Sequence, residues 1–259
     1  MKLILIFLFI IVIFMIYNYN KESFYMKKYE SSIKNLFKIS RNQIITKVAK
    51  EIFIIDNFYE NPDKIRDYAL ANKSRFYTIF PIYKTTVHNP NLTYNVSKEL
   101  IRVFEKISNK KINEKIWNKD TKKESNGYIQ YINKDNNPAI HYDRHWGVII
   151  FLHPNPKKRS GTSFYKNKKY NRSKIMTSYN AIKKYGIDKV MEIVNDKQLW
   201  KEGQRPLFDK WEETYSVENV YNRAIIFNGR QFHCSHGGFG KNIEESRLFQ
   251  TFFFSPIKI

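Results

Sequence analysis

The sequence predicts an α+β domain in which helices come first and strands then close on themselves as a β-sandwich or small barrel. Two observations lead to this fold class. Helical patterns begin early, near residues 61 and 97, whereas the second half holds short apolar runs rich in β-branched and aromatic residues, bounded by turn residues. With 259 residues, the chain is long enough for one large domain with a substantial core.

The N-terminal segment differs from the rest of the chain. The run from Leu3 to Tyr17 is uninterruptedly apolar, close to the lower limit of about 17 residues for a spanning helix. No small-residue cleavage site of a signal peptide follows it. We therefore predict an N-terminal transmembrane anchor at residues 1–19 and a membrane localisation. Lysines on both sides of the run leave the side of the C-terminal domain open.

A basic, polar stalk is predicted at residues 20–48, followed by a globular domain at residues 49–259. The domain opens with the strand candidate Glu51–Ile55. Asn61, Pro62 and Asp63 then form a helix start, with a capping residue, a proline at the first helical position and an acid in the first turn. A second helix is predicted at Ser97–Ile107, where apolar residues recur at helical spacing.

The later segments are predicted to be mainly strands. The candidates are residues 126–132, 146–152, 222–229 and 247–254. Between residues 166 and 221 we predict a polar insertion, helical at residues 181–194.

The charge and cysteine content limit the function classes. A formal net charge of +21 attracts polyanions in general, but the lysines are dispersed and no basic helix or nucleic-acid motif stands out, so binding to nucleic acid is disfavoured. The single cysteine, Cys234, excludes an intrachain disulfide framework and argues against a cysteine-based zinc site. We expect Cys234 to be a buried, small apolar residue.

The triplet His141-Tyr142-Asp143 carries the strongest chemical signal. On a strand, His141 and Asp143 would share one face. His233, at the end of a distant strand, would add a second imidazole. Two histidines and one carboxylate form a facial set that favours Fe(II) and leaves three coordination positions open. An isolated triplet is weak evidence, but strand-like segments surround all three residues here.

These features resemble the double-stranded β-helix oxygenases that use Fe(II) and 2-oxoglutarate, and more narrowly their prolyl-hydroxylase-related branch and a group of uncharacterised 2-oxoglutarate oxygenase-like domains. The similarity covers Glu51 to Phe254. It is carried by the opening at residues 54–62, the triplet, and the segments 161–165, 222–233 and 247–253. The resemblance implies a double-stranded β-helix (jelly-roll) core with flanking helices.

It also implies roles for individual residues. His141, Asp143 and His233 would hold the metal, and Arg247 would bind the far carboxylate of 2-oxoglutarate, although a salt bridge to Glu244 or Glu245 is an alternative for this arginine. His236 competes with His233 for the distal position.

The chain departs from the family pattern at two positions. Phe249 stands where a small hydroxylated residue is common, so the cosubstrate pocket would be rearranged or narrower. Pro138 stands where prolyl hydroxylases have a tyrosine. Tyr131, on the preceding strand, is our candidate to supply that phenol to the cofactor, or else a core residue.

The sequence thus predicts a membrane-anchored Fe(II)- and 2-oxoglutarate-dependent dioxygenase, with ascorbate as a further candidate cofactor. It would hydroxylate an unidentified substrate, with a protein side chain as one candidate. Two alternatives stay open: a catalytically inactive β-helix protein with a binding or structural role, and a cupin-like metal enzyme of other chemistry. The sequence does not specify the oligomeric state.

Overall fold

The computed structural model describes residues 36–80, 83–86, 96–123, 126–136, 138–175 and 205–257. Three α-helices lie in these ranges: α1 (Pro62–Ala71), α2 (Ser97–Ser108) and α3 (Glu114–Lys123). The described strands are β1 (Ile44–Ala49), β2 (Ile52–Asp56), β3 (Phe76–Phe80), β4 (Tyr83–Thr86), β5 (Tyr128–Ile132), β6 (Trp146–Phe151), β7 (Thr162–Asn167), β8 (Trp211–Val217), β9 (Ala224–Asn228), β10 (Phe232–Ser235) and β11 (Arg247–Phe254). Short 3₁₀ helices occur at Lys73–Arg75 and Arg205–Lys210.

The strands form two antiparallel sheets. The large sheet has the order β1-β2-β9-β6-β11-β5-β4-β3, and the small sheet has the order β10-β7-β8. From β5 onward the chain passes back and forth between the sheets. β5 and β6 lie in the large sheet, and the bridge from His141 to His233 of β10 lies between them. β7 and β8 then pair in the small sheet, and β9, β10 and β11 change sheets in turn. This alternation winds the chain as a jelly roll.

The space between the sheets is filled by apolar side chains from both. On β9, Ile225 and Phe227 face the small sheet, where Phe164 of β7 and Val217 of β8 belong to the same buried cluster. Ala224 and Ile226 point to the opposite face of the large sheet. Successive residues of a strand alternate between faces, so β9 is buried on both sides.

The helices cover the outer face of the large sheet. Phe104 of α2 stacks on Phe254 of β11, with ring centroids 5.8 Å apart, and Trp117 of α3 lies parallel to Phe252. These rings are fully buried or nearly so. The molecule therefore has three layers: the helices, the large sheet and the small sheet. The interior between the two sheets is lined by strand residues and not by the helices.

Many predicted elements are confirmed. The structure contains the helix beginning at Pro62, the helix at Ser97, and strands close to each predicted strand range. Cys234 is buried as expected. The predicted helix at residues 181–194 lies outside the described residues.

Two predicted boundaries differ from the structure. The proposed stalk at residues 20–48 includes part of β1, which pairs with β2, and Phe37 and Ile39, which are buried. The domain therefore includes residues that we assigned to the stalk. The supposed polar insertion at 166–221 includes β8, which pairs with β7 and completes the small sheet. Both strands are partly exposed, and β8 is more polar than the central strands, whereas β1 exposes Ile44 and Ile45.

The predicted membrane localisation is contradicted. None of the described helices is long and apolar enough to cross a membrane, and the longest, α2, has 12 residues. The predicted anchor at residues 1–19 lies outside the described residues.

Candidate metal centre

His141, Asp143 and His233 lie together, as the sequence predicted. Their ligand atoms are all within 4.8 Å of one another. His141 and His233 form a hydrogen-bonded antiparallel pair, in which each amide N–H donates to the carbonyl of the other residue at 3.0 and 2.8 Å. This bridge aligns the two imidazoles, whose ring centroids are 4.4 Å apart.

Both imidazoles are oriented by their own backbone. Nδ1 of His141 donates to the carbonyl of Ala139 at 2.9 Å, and Nδ1 of His233 donates to the carbonyl of Gln231 at 2.8 Å. With the proton on Nδ1, the neutral ring presents a lone pair on Nε2. Metal-binding histidines are commonly held in this way. The backbone thus prepares both rings to bind a cation through Nε2.

Asp143 completes the group with a carboxylate. Its Oδ2 lies 3.3 Å from Nε2 of His233. Two ligands about 2.1 Å from one ion, at right angles to each other, are about 3 Å apart, so the observed separation fits two neighbouring positions of an octahedral site. Two imidazoles and one carboxylate are the donor set that suits Fe(II) with positions left open.

The local electrostatics also suit a cation. Burial raises the pKa of Asp143, but without a metal ion a protonated His233 can donate from Nε2 to this carboxylate, and its charge, with those of His141 and His145, outweighs burial and lowers the pKa below its usual value. Burial lowers the pKa of His141, and the neighbouring His233 lowers it further. A carboxylate and a neutral imidazole are the forms that bind metals.

Gly229, which the sequence analysis did not single out, allows the triplet to approach its neighbours. Its carbonyl accepts from the amide of Asp143 at 2.7 Å, and its amide donates to the carbonyl of His145 at 3.1 Å. A Cβ atom at this position would lie 2.2 Å from the His145 carbonyl oxygen and 2.8 Å from Cβ of Asp143. Only a glycine fits here without displacement.

His236 does not join the group. Its Nε2 lies 2.5 Å from the hydroxyl of Ser163 and 3.4 Å from the carboxylate of Glu213. Ser163 alternates along β7 with Phe164, whose ring faces the interior between the sheets, so Ser163 lies on the outer side of the small sheet. The structure thus brings His233, and not His236, to His141 and Asp143.

Arg247 lies in the same interior and is 1% exposed. Its Nε donates to the carbonyl of Ser160 at 2.7 Å, and an Nη atom lies 3.5 Å from the carbonyl of Gly161 and from the hydroxyl of Thr162. Phe249, the departure from the family pattern, packs on the guanidinium at 4.6 Å. The pocket around this cation is therefore partly aromatic. Glu244, one alternative partner, forms an ion pair with Lys73.

Tyr131 is not brought to the metal centre. It packs beside the buried cluster that faces the helices, and its ring makes an edge contact with Phe76 at 5.3 Å. Its neighbour Ile132 faces the interior instead. Because neighbouring residues of a strand point to opposite faces, β5 directs this phenol away from His141 and His233.

A family model described as "Family of unknown function (DUF6445)" matches residues 38–253. No curated protein matches the sequence significantly.

Solved structures similar to this chain include a prolyl hydroxylase in complex with a hypoxia inducible factor peptide fragment, from Trichoplax adhaerens (TM-score 0.43, 11% identity, 80% of this chain and 84% of that chain). HygX from Streptomyces hygroscopicus, with nickel and 2-oxoglutarate bound, matches with a TM-score of 0.42 and 10% identity over 80% of this chain and 83% of that chain. The α-ketoglutarate-dependent carbocyclase SnoK from nogalamycin biosynthesis matches with a TM-score of 0.44 and 9% identity over 79% of each chain.

Proposed function

The chain belongs to the family of unknown function DUF6445, and from its site residues we propose that it is an Fe(II)- and 2-oxoglutarate-dependent dioxygenase. The observation that carries this proposal is the group formed by His141, Asp143 and His233, in which both imidazoles keep Nε2 for a cation. Three ligands on one side of an ion leave the other positions to cosubstrate and dioxygen.

Arg247 supports 2-oxoglutarate as the cosubstrate. It is a buried cation, and its planar fork suits a carboxylate. Its guanidinium lies near Thr162 on β7, whereas His233 pairs with Phe164 of the same strand. Two residues of strand span about 7 Å, a separation that a five-carbon dicarboxylate bridges. One end of this cosubstrate would reach the metal while the other end lies against the guanidinium.

The residues of the chain have separate tasks in this mechanism. Fe(II) with bound 2-oxoglutarate would supply the oxidising chemistry that inserts oxygen from dioxygen into a substrate C–H bond. His141, Asp143 and His233 would hold the ion from one side and leave its other side open. Arg247 orients the cosubstrate. Phe164 and Phe227, whose rings lie 6.3 and 4.7 Å from that of His233, exclude water from one side of the centre.

Anaerobic titration of the full chain tests the proposal. Fe(II) alone should bind with 1:1 stoichiometry, and addition of 2-oxoglutarate should give the weak visible charge-transfer band of a chelate. Asp143→Asn, which keeps the shape but removes the charge, and His233→Ala should each weaken iron binding by at least about tenfold. His236→Ala serves as the matched control and should bind iron as the wild type does.

The alternative functions give different results in the same experiment. A cupin-like metal enzyme would bind the metal without the charge-transfer band. A structural protein would bind neither ligand specifically. Iron affinity unchanged in the double variant Asp143→Asn with His233→Ala would refute the metal centre itself.

A further inference from the structure

A large basic groove lies beside the metal centre. It has a volume of about 1110 Å³, and its described lining includes six lysine and arginine side chains and two glutamates. The cations are Arg102, Lys106, Lys110, Lys111, Arg144 and Arg230. They come from three separate parts of the chain: α2 and the residues that follow it, the segment after Asp143, and the segment after Gly229.

The negative charge in the groove is already compensated. Glu51 pairs with Lys174 at 3.2 Å, and Glu105 pairs with Lys111 at 3.1 Å and accepts from the amide of Ile112 at 2.8 Å. Among the described residues, the other five cations of the groove form no ion pair. The groove therefore concentrates uncompensated positive charge, which attracts anions.

The groove and the metal centre share a wall. Arg144 and His145 line the groove and directly follow Asp143, and Arg230 follows Gly229. These two segments are hydrogen-bonded to each other through Gly229. A ligand held by Arg144 and Arg230 would thus lie against the segments that position the carboxylate of the metal centre.

The lining favours phosphate groups on a molecule of moderate size. Arginine forks bind phosphate bidentately, and lysines add positive charge. At about 1110 Å³ the groove is slightly larger than the roughly 300–1,000 Å³ of typical small-molecule sites, so it has room for a molecule of moderate size. Trp146, the large aromatic side chain in the described lining, is 5% exposed and offers no surface for the base stacking on which single-stranded nucleic acids depend. The other ring, the half-buried imidazole of His145, is much smaller. The carboxyl end of α2 adds only about half a negative charge, less than the cations around it.

We propose that this groove binds the phosphate groups of a phosphorylated small molecule, and that this molecule is the substrate class of the neighbouring centre. The second part rests on the proposed dioxygenase function. The first part concerns only the groove and can be tested without iron or 2-oxoglutarate.

Calorimetric titration of the full chain with pyrophosphate, in metal-free buffer, tests the groove. Wild-type protein should bind pyrophosphate, with an affinity that falls as salt is added. The double variant Arg144→Gln with Arg230→Gln should bind at least about tenfold more weakly, because each arginine supplies charge-assisted hydrogen bonds. A second variant, Lys106→Gln with Lys110→Gln, changes only exposed positions at the end of α2 and should also weaken binding.

A matched control removes the same charge elsewhere. Lys64 and Lys98 are exposed and lie outside the groove lining, so Lys64→Gln with Lys98→Gln should leave the pyrophosphate affinity unchanged. An equal loss in this control would show that only the net charge matters and would overturn the proposal. Absence of pyrophosphate binding to the wild type would overturn it as well.

Competition experiments, in which other molecules displace pyrophosphate, identify the type of ligand. Glucose 6-phosphate should displace pyrophosphate, whereas glucose should not. Tighter binding of a single-stranded oligothymidine or of an acidic peptide, lost in the Arg144 and Arg230 variant, would assign the groove to a polymer and refute the small-molecule proposal. Iron titration of the Lys106 and Lys110 variant separates the two hypotheses: normal iron binding with lost pyrophosphate binding shows that the groove acts independently of the metal centre.

Discussion

Replacing Gly229 with alanine should disrupt the metal centre without touching a ligand. The added Cβ would lie 2.2 Å from the carbonyl oxygen of His145 and 2.8 Å from Cβ of Asp143. Normal contacts between such atoms are about 3.5 Å. The segment that carries Asp143 must therefore move by roughly 1 Å, because the obstacle is backbone and cannot rotate away.

The size of the effect follows from what this movement breaks. Overpacking costs about 1–3 kcal/mol. The two backbone hydrogen bonds of Gly229, at 2.7 and 3.1 Å, would lengthen as well, at about 0.5–1.5 kcal/mol each if they are lost. If both bonds are lost, we expect the free energy of unfolding to fall by about 2–6 kcal/mol. A metal site tolerates ligand displacements of only about 0.2 Å, so iron affinity should fall by at least about tenfold.

Urea denaturation and anaerobic iron titration measure the two effects on the same preparation. Ile129→Ala is the matched control, because Ile129 is buried on the helix-facing side of the large sheet and its loss costs a similar 2–5 kcal/mol or so. This control should bind iron normally. Gly229→Ala protein with wild-type iron affinity, or a control that loses affinity to the same extent, would refute the reasoning.

Three further predictions concern other parts of the domain. Burial, and then the charge of Arg66, lowers the pKa of His153 in the folded protein. The unfolded state therefore binds more protons, and the free energy of unfolding should fall as the pH drops below about 6.5. His153→Asn should reduce this pH dependence in denaturation curves measured between pH 7 and 5. Trp117 is fully buried, so Trp117→Ala should cost about 3–5 kcal/mol. Trp117→Phe should cost less than Trp117→Ala, because it leaves a smaller cavity and because, among the described residues, nothing accepts from the indole N–H. Arg247→Ala should weaken 2-oxoglutarate binding by about 2–4 kcal/mol with little change in iron affinity, and Arg247→Lys should recover part of that loss. Equal 2-oxoglutarate affinity in the wild type and in Arg247→Ala would count against the proposed dioxygenase function.

The central strands could be predicted because their residues are buried on both faces. β9 is a nearly continuous apolar run, and β11 is buried along almost its whole length although Arg247, Gln250 and Thr251 interrupt its apolar residues. β1 was not predicted, although four of its six residues are β-branched, because four of the six are exposed and its longest apolar run has only two residues, so no pattern of burial marks it in the sequence. β8 is similarly polar along one side. For exposed strands such as these, β-strand propensity predicts the structure poorly, because few buried contacts restrict which residues occur there.

The basic groove could not be found from the sequence for a different reason. Its cations are separated by up to 128 positions, from Arg102 to Arg230, and the lysines are spread along the whole chain. The position of lysines and arginines in the sequence therefore does not show which of them lie together in the folded protein. The arrangement becomes visible only when the sheet brings residues 144 and 230 together beside α2.

Which residues of β10 face the interior, and not merely that β10 is a strand, decides which histidine reaches the metal centre. His233 and His236 are three residues apart, so an extended chain sends them to opposite faces, and sequence alone does not say which face is the interior. Packing supplies the answer: Phe232 and Cys234 join the outer cluster with Trp211 of β8, which turns His233 inward and His236 outward. A shift of one residue would bury Phe232 and Cys234 between the sheets and expose His233. The same argument explains Tyr131, whose neighbour Ile132 occupies the interior. The apolar residues on the outer face of the small sheet thus determine which histidine faces the metal centre between the sheets.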